Sequence, residues 1–230
     1  MVSVPAGDFS LNGVATHVQA FEIDRSEATV TDWQSCVSAG VCSADVAAVN
    51  VKAAQAWSVL CNWPRRIERA EHPINCVSQQ QAQEYCRWNA KRLPTDAEWY
   101  YAAYVLGGDR EYPWGKGAPE SSSANLCGSE CATMLRASGL VKGKQPLSGS
   151  FSDAYADTGP VTAFATDETA AGIRGLGGNV MEWTSTRIGG KVSVRGGSWL
   201  SSKLQDLERS ATFELNATER RVNVGFRCVR

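Results

Sequence analysis

Several things are scarce in these 230 residues, and each scarcity removes a class of function. No apolar run approaches the length that crosses a bilayer, and no charged-then-apolar leader opens the chain, so membrane insertion is not expected. An excess of one charge is also missing: 23 Lys and Arg stand against 24 Asp and Glu. A nucleic-acid or anionic-membrane partner held by a phosphate-matching field is therefore not expected. Histidine is nearly absent, with only His17 and His72. A three-histidine zinc site cannot be built from two, and packing is the expected role of both. No serine sits in a GxSxG elbow, so Ser198 in RGGSW reads as framework rather than nucleophile.

What is present is cysteine, eight residues in a chain of ordinary size. Cys36 and Cys42 flank a Val-Ser-Ala-Gly-Val turn, Cys127 and Cys131 flank Gly-Ser-Glu, and Cys61 and Cys76 bracket a polar loop. Two readings compete for such spacing. Disulfides would place the protein in an extracytoplasmic or secreted, oxidising setting. Alternatively the CGSEC pair would contribute to a zinc site, which needs two further Cys or His ligands with no clear second pair. Disulfides are the favoured reading.

Local chemistry marks three helix starts. Thr31 with Gln34, Ser78 with Gln81 and Thr95 with Glu98 each put a hydroxyl at an N-cap and Gln or Glu three residues on, the capping box. The first helix is expected to stop near Gly40. The second, about 79 to 89, places Ala82, Tyr85, Cys86 and Asn89 on one stripe. Pro94 separates it from a third over 96 to 105. Short strands are expected at 2–5, 17–23, 190–195 and 224–230. The stretch from Gly115 to Gly159 is rich in Ser, Gly, Ala and Pro, with little strand or helix pattern. That much coil needs another ordering device. With no internal repeat and no linker, 1–230 reads as one domain. Met1 runs straight into VSVPAG, where a domain would begin, so membership of a larger polypeptide is also an expectation.

Six motifs in order carry a resemblance across most of the chain. They are VSVPAGDFSLNG with FEIDRSEATVTDW, HPINCVSQQQAQEYCRWNAKRLPTDAEWYYAA, YPWG, GGNVMEW, RGGSW and GFRC. Together they resemble the formylglycine-generating enzyme, or sulfatase-modifying factor, family. The resemblance implies an α+β fold with low regular secondary structure and a C-type-lectin-like core. It also implies order from calcium, bridges and packed aromatics. Cys86 and Cys228 match positions bridged in extracytoplasmic members. That bridge would be worth on the order of 4 kcal/mol in a chain-entropy account.

The family's oxidases hold copper between two cysteines after the GGS turn, and the matching positions here are Ser201 and Asp206. A hydroxyl and a carboxylate do not replace two thiolates for Cu(I), so no copper is expected. Calcium is the expected cofactor. The family's first calcium set matches Asn125, Leu126, Asp153 and Tyr155, hard oxygen donors of the kind Ca²⁺ prefers. A second, weaker set matches the carbonyls of Gly178 and Val180 and the carboxylate of Glu182, with Gly175 where a side-chain ligand is usual. Met181 stands where the family usually has Trp.

Most tryptophans (Trp88, Trp99, Trp114, Trp183, Trp199) fall in family motifs and are expected to pack, which leaves Trp57 and Trp63 as the candidate surface rings. The segment Ser201 to Asn223 matches the substrate groove of catalytic relatives and the ligand face of lectin-like variable ones. Its candidate ligand residues are Ser201, Lys203, Gln205 and Asp206, followed by Glu208, Arg209, Arg220 and Arg221. Asn216-Ala217-Thr218 also fits a glycosylation sequon. The functional expectation is a non-catalytic binding or accessory domain recognising a protein or glycan. The alternative is an oxidoreductase of the formylglycine-generating type with relocated or partner-supplied catalytic groups.

Overall fold

The computed structural model describes residues 1–48, 54–65, 67–141, 146–147, 151–164, 166 and 168–230. The chain opens with strands β1 (Val2–Val4), β2 (Gly7–Leu11), β3 (Val14–Val18) and β4 (Phe21–Ile23). β1 pairs antiparallel with β4, and β2 with β3. The expected strand over 17–23 is thus two short strands broken between Val18 and Phe21. Helix α1 spans Val30–Ser38, and its capping box is Thr29 with Asp32, two residues earlier than Thr31 with Gln34. Asp32 Oδ2 accepts from the Thr29 N–H at 2.9 Å, a shorter reach than a glutamine at the same place would need. Gly40 follows the helix at φ +74°, as a left-handed terminator should.

After the short helix α2 (Ala54–Trp57) come α3 (Gln79–Trp88) and α4 (Asp96–Tyr100), capped by Ser78 with Gln81 and Thr95 with Glu98. Tyr101–Val105 prolongs α4 as a π-helical turn. The middle of the chain is less bare than its composition implies. Helix α5 occupies Ser129–Ala137 inside the expected coil, burying Cys131, Ala132 and Leu135 on one face. Residues 142–145 and 148–150 of that stretch lie outside the described residues.

The C-terminal third forms a four-stranded sheet in the order β7 (Phe213–Leu215), β6 (Lys191–Arg195), β5 (Met181–Ile188), β8 (Val224–Gly225). β5 pairs antiparallel with β6 but parallel with β8. The β5–β6 hairpin turns at Gly189 and Gly190, both at positive φ (+56° and +88°), which matches the right-handed twist of the flanking strands. Instead of a strand over 224–230, the end of the chain is threaded between older elements. Val229 bridges both Ile23 and Arg92.

All eight cysteines are paired: Cys36–Cys42, Cys61–Cys76, Cys86–Cys228 and Cys127–Cys131. The zinc reading of CGSEC fails here, because a disulfide leaves no thiolate to ligate. The main core joins α1, α3, α5 and the sheet around Trp33, Trp183, Trp199 and Phe226. Trp63 is buried, its Nε1–H donating to Ala44 O at 2.9 Å, and Trp57 is half-buried against the core. Trp88, expected to pack, is 38% exposed. Trp99, Trp183 and Trp199 are fully buried as expected, so the aromatic assignment changes at Trp63, whose loop is closed by the Cys61–Cys76 bridge, and at Trp88.

That loop is anchored by His72, whose Nδ1 lies 3.0 Å from Thr158 Oγ1, and by Arg69, paired with Asp157 at 2.7 Å. Burial, and then the Arg69 guanidinium, push the His72 pKa down to about 4. The unfolded chain takes up this proton near its ordinary 6.5 and the folded chain does not. Stability from neutral His72 is thus full above pH 6.5 and is lost as pH falls towards 4. A His72→Gln variant should flatten the unfolding midpoint between pH 6.5 and 4, and an unchanged acid limb would refute this.

Candidate functional site

The GGNVMEW turn is the hub of the site. Gly178 lies so close to Asn125 that a Cβ there would stand 2.3 Å from the Asn125 carbonyl oxygen, and its φ is +122°. Only glycine fits. The close approach lets Asn179 N–H donate to the same carbonyl at 2.9 Å. The Asn179 side chain then ties three segments together. Its Oδ1 accepts from Asn125 Nδ2 (3.2 Å) and Gly159 N–H (3.0 Å), while its Nδ2 donates to Glu27 Oε1 (3.0 Å).

Asn125, Leu126, Asp153 and Tyr155 are brought together. Asp153 is buried, accepting from Leu126 N–H at 2.8 Å and from Tyr155 N–H at 3.0 Å. Burial pushes its pKa up to about 6, since the charged form has lost water without gaining a counter-charge. Asn125 is also buried, and its Oδ1 has no hydrogen-bond partner. A buried oxygen acceptor with no donor beside an undercompensated carboxylate fits a hard cation.

The second expected set is arranged differently. Glu182 on β5 is fully buried and ion-paired with fully buried Arg227. Its Oε1 and Oε2 accept from Arg227 Nε and Nη2 at 2.7–3.0 Å, and Oε2 also accepts from Trp99 Nε1–H at 2.8 Å. With four donor contacts on two oxygens, Glu182 is already satisfied and neutralised. Gly178, Val180 and Glu182 therefore do not fit a calcium ion by themselves.

The C-terminal segment packs against this hub rather than standing off it. Ser201 is buried, and its Oγ accepts from Ser198 N–H at 3.2 Å. Its carbonyl accepts from Cys127 N–H at 2.8 Å, which sets the Cys127–Cys131 bridge beside it. Asp206 lies on a single 3₁₀ turn, Leu204–Leu207, held down by Tyr104 Oη donating to Leu207 O at 3.0 Å. Leu207 is fully buried against Gly197, where a Cβ would stand 2.6 Å from its Cγ.

Of the remaining candidates, Lys203 and Gln205 are exposed, and Glu208 is half-buried. Arg209 is paired with Asp109, Arg220 with Asp45 and Arg221 with Glu219. Glu27, Asn179 and Leu207 escape a reading of the sequence. Their roles come from contacts across 20 to 152 residues, and no spacing signals them.

A low-regularity α+β domain with its polar hub under a C-terminal sheet defines the class. A family profile for the Sulfatase-modifying factor enzyme 1-like domain matches residues 1–230, and the chain belongs to that family. It is 31% identical over 174 residues to the inactive C-alpha-formylglycine-generating enzyme 2 of Bos taurus, covering 70% of this chain and 51% of that protein. It is 36% identical over 121 residues to the formylglycine-generating enzyme of Mus musculus, covering 52% and 28%. The chain thus spans about half, or less, of these relatives. The structure of PvdO from Pseudomonas aeruginosa shares the fold at a TM-score of 0.68 and 19% identity, over 99% of this chain and 92% of that one.

Proposed function

We propose that this domain is a non-catalytic binding or accessory module, recognising a protein or glycan through the face around residues 201–223. The carrying observation is chemical: Ser201 and Asp206 occupy the copper-ligand positions implied by the resemblance, and every cysteine is consumed in a disulfide. No soft ligand pair is left for Cu(I). The similarity to an inactive relative supports the same reading. Leu207 packs against Gly197, while Lys203, Gln205, Ser210, Glu214, Asn216 and Thr218 are the exposed polar residues of the segment. The four bridges suit an extracytoplasmic or secreted location.

Cu(I) competition titration and incubation with a cysteine-containing sulfatase peptide under oxygen test the proposal. Neither stoichiometric copper nor thiol consumption is expected, and either one overturns it. One contact supports the oxidoreductase alternative, the Cys127 N–H bond to Ser201 O. If reducing the Cys127–Cys131 pair in the folded protein creates a tight Cu(I) site, that alternative replaces the first.

Calcium is the proposed structural cofactor, held by Asn125 Oδ1, the Asp153 carboxylate and the carbonyls of Leu126 and Tyr155. It would supply the missing counter-charge to Asp153 and order the loops around it. At free calcium one hundredfold above its dissociation constant the stabilisation would be about 2.7 kcal/mol. Chelation should therefore lower the melting temperature by about 5–10 °C in the wild type. It should leave an Asp153→Asn variant unmoved. Equal response of the two proteins to chelator would refute this assignment.

A further inference from the structure

The N-terminal hairpin carries a strand edge that no function described above uses. β2 and β3 pair over five residues in an unbroken register, joined by a two-residue turn at Asn12 and Gly13, both at positive φ (+52° and +83°). Such a turn is closed by a hydrogen bond between its flanking residues, here Leu11 and Val14. Hydrogen-bonded and non-hydrogen-bonded pairs alternate along an antiparallel ladder, so Phe9–Thr16 and Gly7–Val18 are the other bonded pairs. Ser10–Ala15 and Asp8–His17 are the non-bonded ones. The 2.8 Å between Asp8 Oδ1 and His17 Nδ1 fits the closer side chains of a pair of that kind. The backbone N–H and C=O of Ala15 and of His17 therefore point away from β2. Both residues are exposed, and among the described residues no backbone hydrogen bond joins β3 to any segment but β2. Natural sheet edges are usually blunted by lysine, proline or a bulge. β3, Val-Ala-Thr-His-Val, has none of these.

We infer that β3 is a self-association edge, pairing antiparallel with β3 of a second copy of this chain about a twofold axis at Thr16. The result is one four-stranded sheet in the order β2-β3-β3-β2. Ala15 of each copy exchanges both of its backbone bonds with His17 of the other, and Thr16 faces Thr16 across the axis. The charge pattern favours a second copy as the occupant. β3 holds no Lys, Arg, Asp or Glu, so laying it against itself sets no like charges opposite one another. Val14 is 65% exposed, and the pairing places it opposite Val18 of the other copy, where it loses water. A single strand pair is small beside the roughly 1,600 Å² of a standard interface, so the dimer is weak and reversible. This edge is separate from the face at 201–223 and does not depend on the reading of that face.

Sedimentation equilibrium across a wide concentration range, with amide exchange of the same samples followed by NMR, tests the inference. The mean mass should climb from one chain towards two as concentration rises. The Ala15 and His17 amides should slow in step with it, while those of Asp8 and Ser10, on the outer edge of β2, should not. Ala15→Pro removes an outward N–H that the hairpin itself does not use. It deletes two of the four bonds between copies, so the dissociation constant should rise about thirtyfold with the melting temperature of the dilute protein unchanged. Thr16→Asp and Thr16→Lys should each stay monomeric, because like charges meet on the axis, and an equimolar mixture of the two should form the mixed dimer. That mixture keeps the test decisive even if Ala15→Pro disrupts the hairpin. A wild type that is monomeric at every concentration would overturn the inference. So would a dimer unmoved by Ala15→Pro, or slowing at Asp8 and Ser10 in place of Ala15 and His17. Slow exchange at Ala15 and His17 in the dilute monomer would overturn it as well, since the chain itself would then be covering the edge.

Discussion

Replacing Arg227 by methionine is expected to lower the unfolding free energy by about 3–5 kcal/mol, the range for breaking a buried ion pair from one side. Arg227 and Glu182 are both fully buried, so removing the guanidinium strands a carboxylate with Trp99 Nε1–H as its remaining donor. The same change orphans backbone carbonyls. Arg227 Nη2 donates to Arg174 O at 2.8 Å and to Gly175 O at 3.0 Å, the second of these in a buried contact. The double variant Arg227→Met/Glu182→Gln should be more stable than Arg227→Met alone, since the uncompensated charge is gone. Urea denaturation with an unchanged slope would measure both. A loss below 1 kcal/mol in the single variant would show that solvent reaches Glu182 and that the pair is not the hub described above.

The second large effect concerns the bridges. Removing Cys86–Cys228 as a pair of alanines should cost about 5 kcal/mol, whereas removing Cys36–Cys42 should cost about 2. The difference comes from the denatured chain, because the first bridge closes a separation of 142 residues and the second only 6. Cys86–Cys228 also fixes the C-terminal segment against α3, where Val229 bridges Arg92 and Asp24 Oδ2 accepts from Cys228 N–H at 3.1 Å. Its loss should therefore also make the segment around Cys228 more sensitive to limited proteolysis. Equal costs for the two bridges would mean that native strain or residual structure, rather than loop closure, governs them.

Much of the framework was legible because local chemistry decides it. Ser78 with Gln81 and Thr95 with Glu98 start helices where a hydroxyl and a side-chain acceptor satisfy orphan N–H groups, whatever surrounds them. The α1 start lies two residues earlier than expected because Thr29 and Thr31 both offer the hydroxyl, and the box closes between Thr29 and Asp32. Helix α5 was hidden because its N-cap is Gly128, which has no side chain to announce it. Trp63 was misjudged because a loop drawn inward by Cys61–Cys76 looks polar in one dimension. Of the candidate site, Asn125 and Asp153 come from the resemblance, and in the structure Asp153 accepts from the N–H of Leu126, the residue after Asn125.

The sequence by itself determined the family, the capping chemistry, the cysteine complement and the absence of paired thiols at Ser201 and Asp206. These depend on residue type and short spacing. Tertiary structure alone decided that Glu182 belongs to Arg227, that Leu207 packs against Gly197, and that Glu27 stands where a side chain at Gly175 would be. Each of those contacts depends on burial and on atoms meeting across long separations. A carboxylate's role is set by which donors reach it once water has been removed, and no order of residues states that in advance.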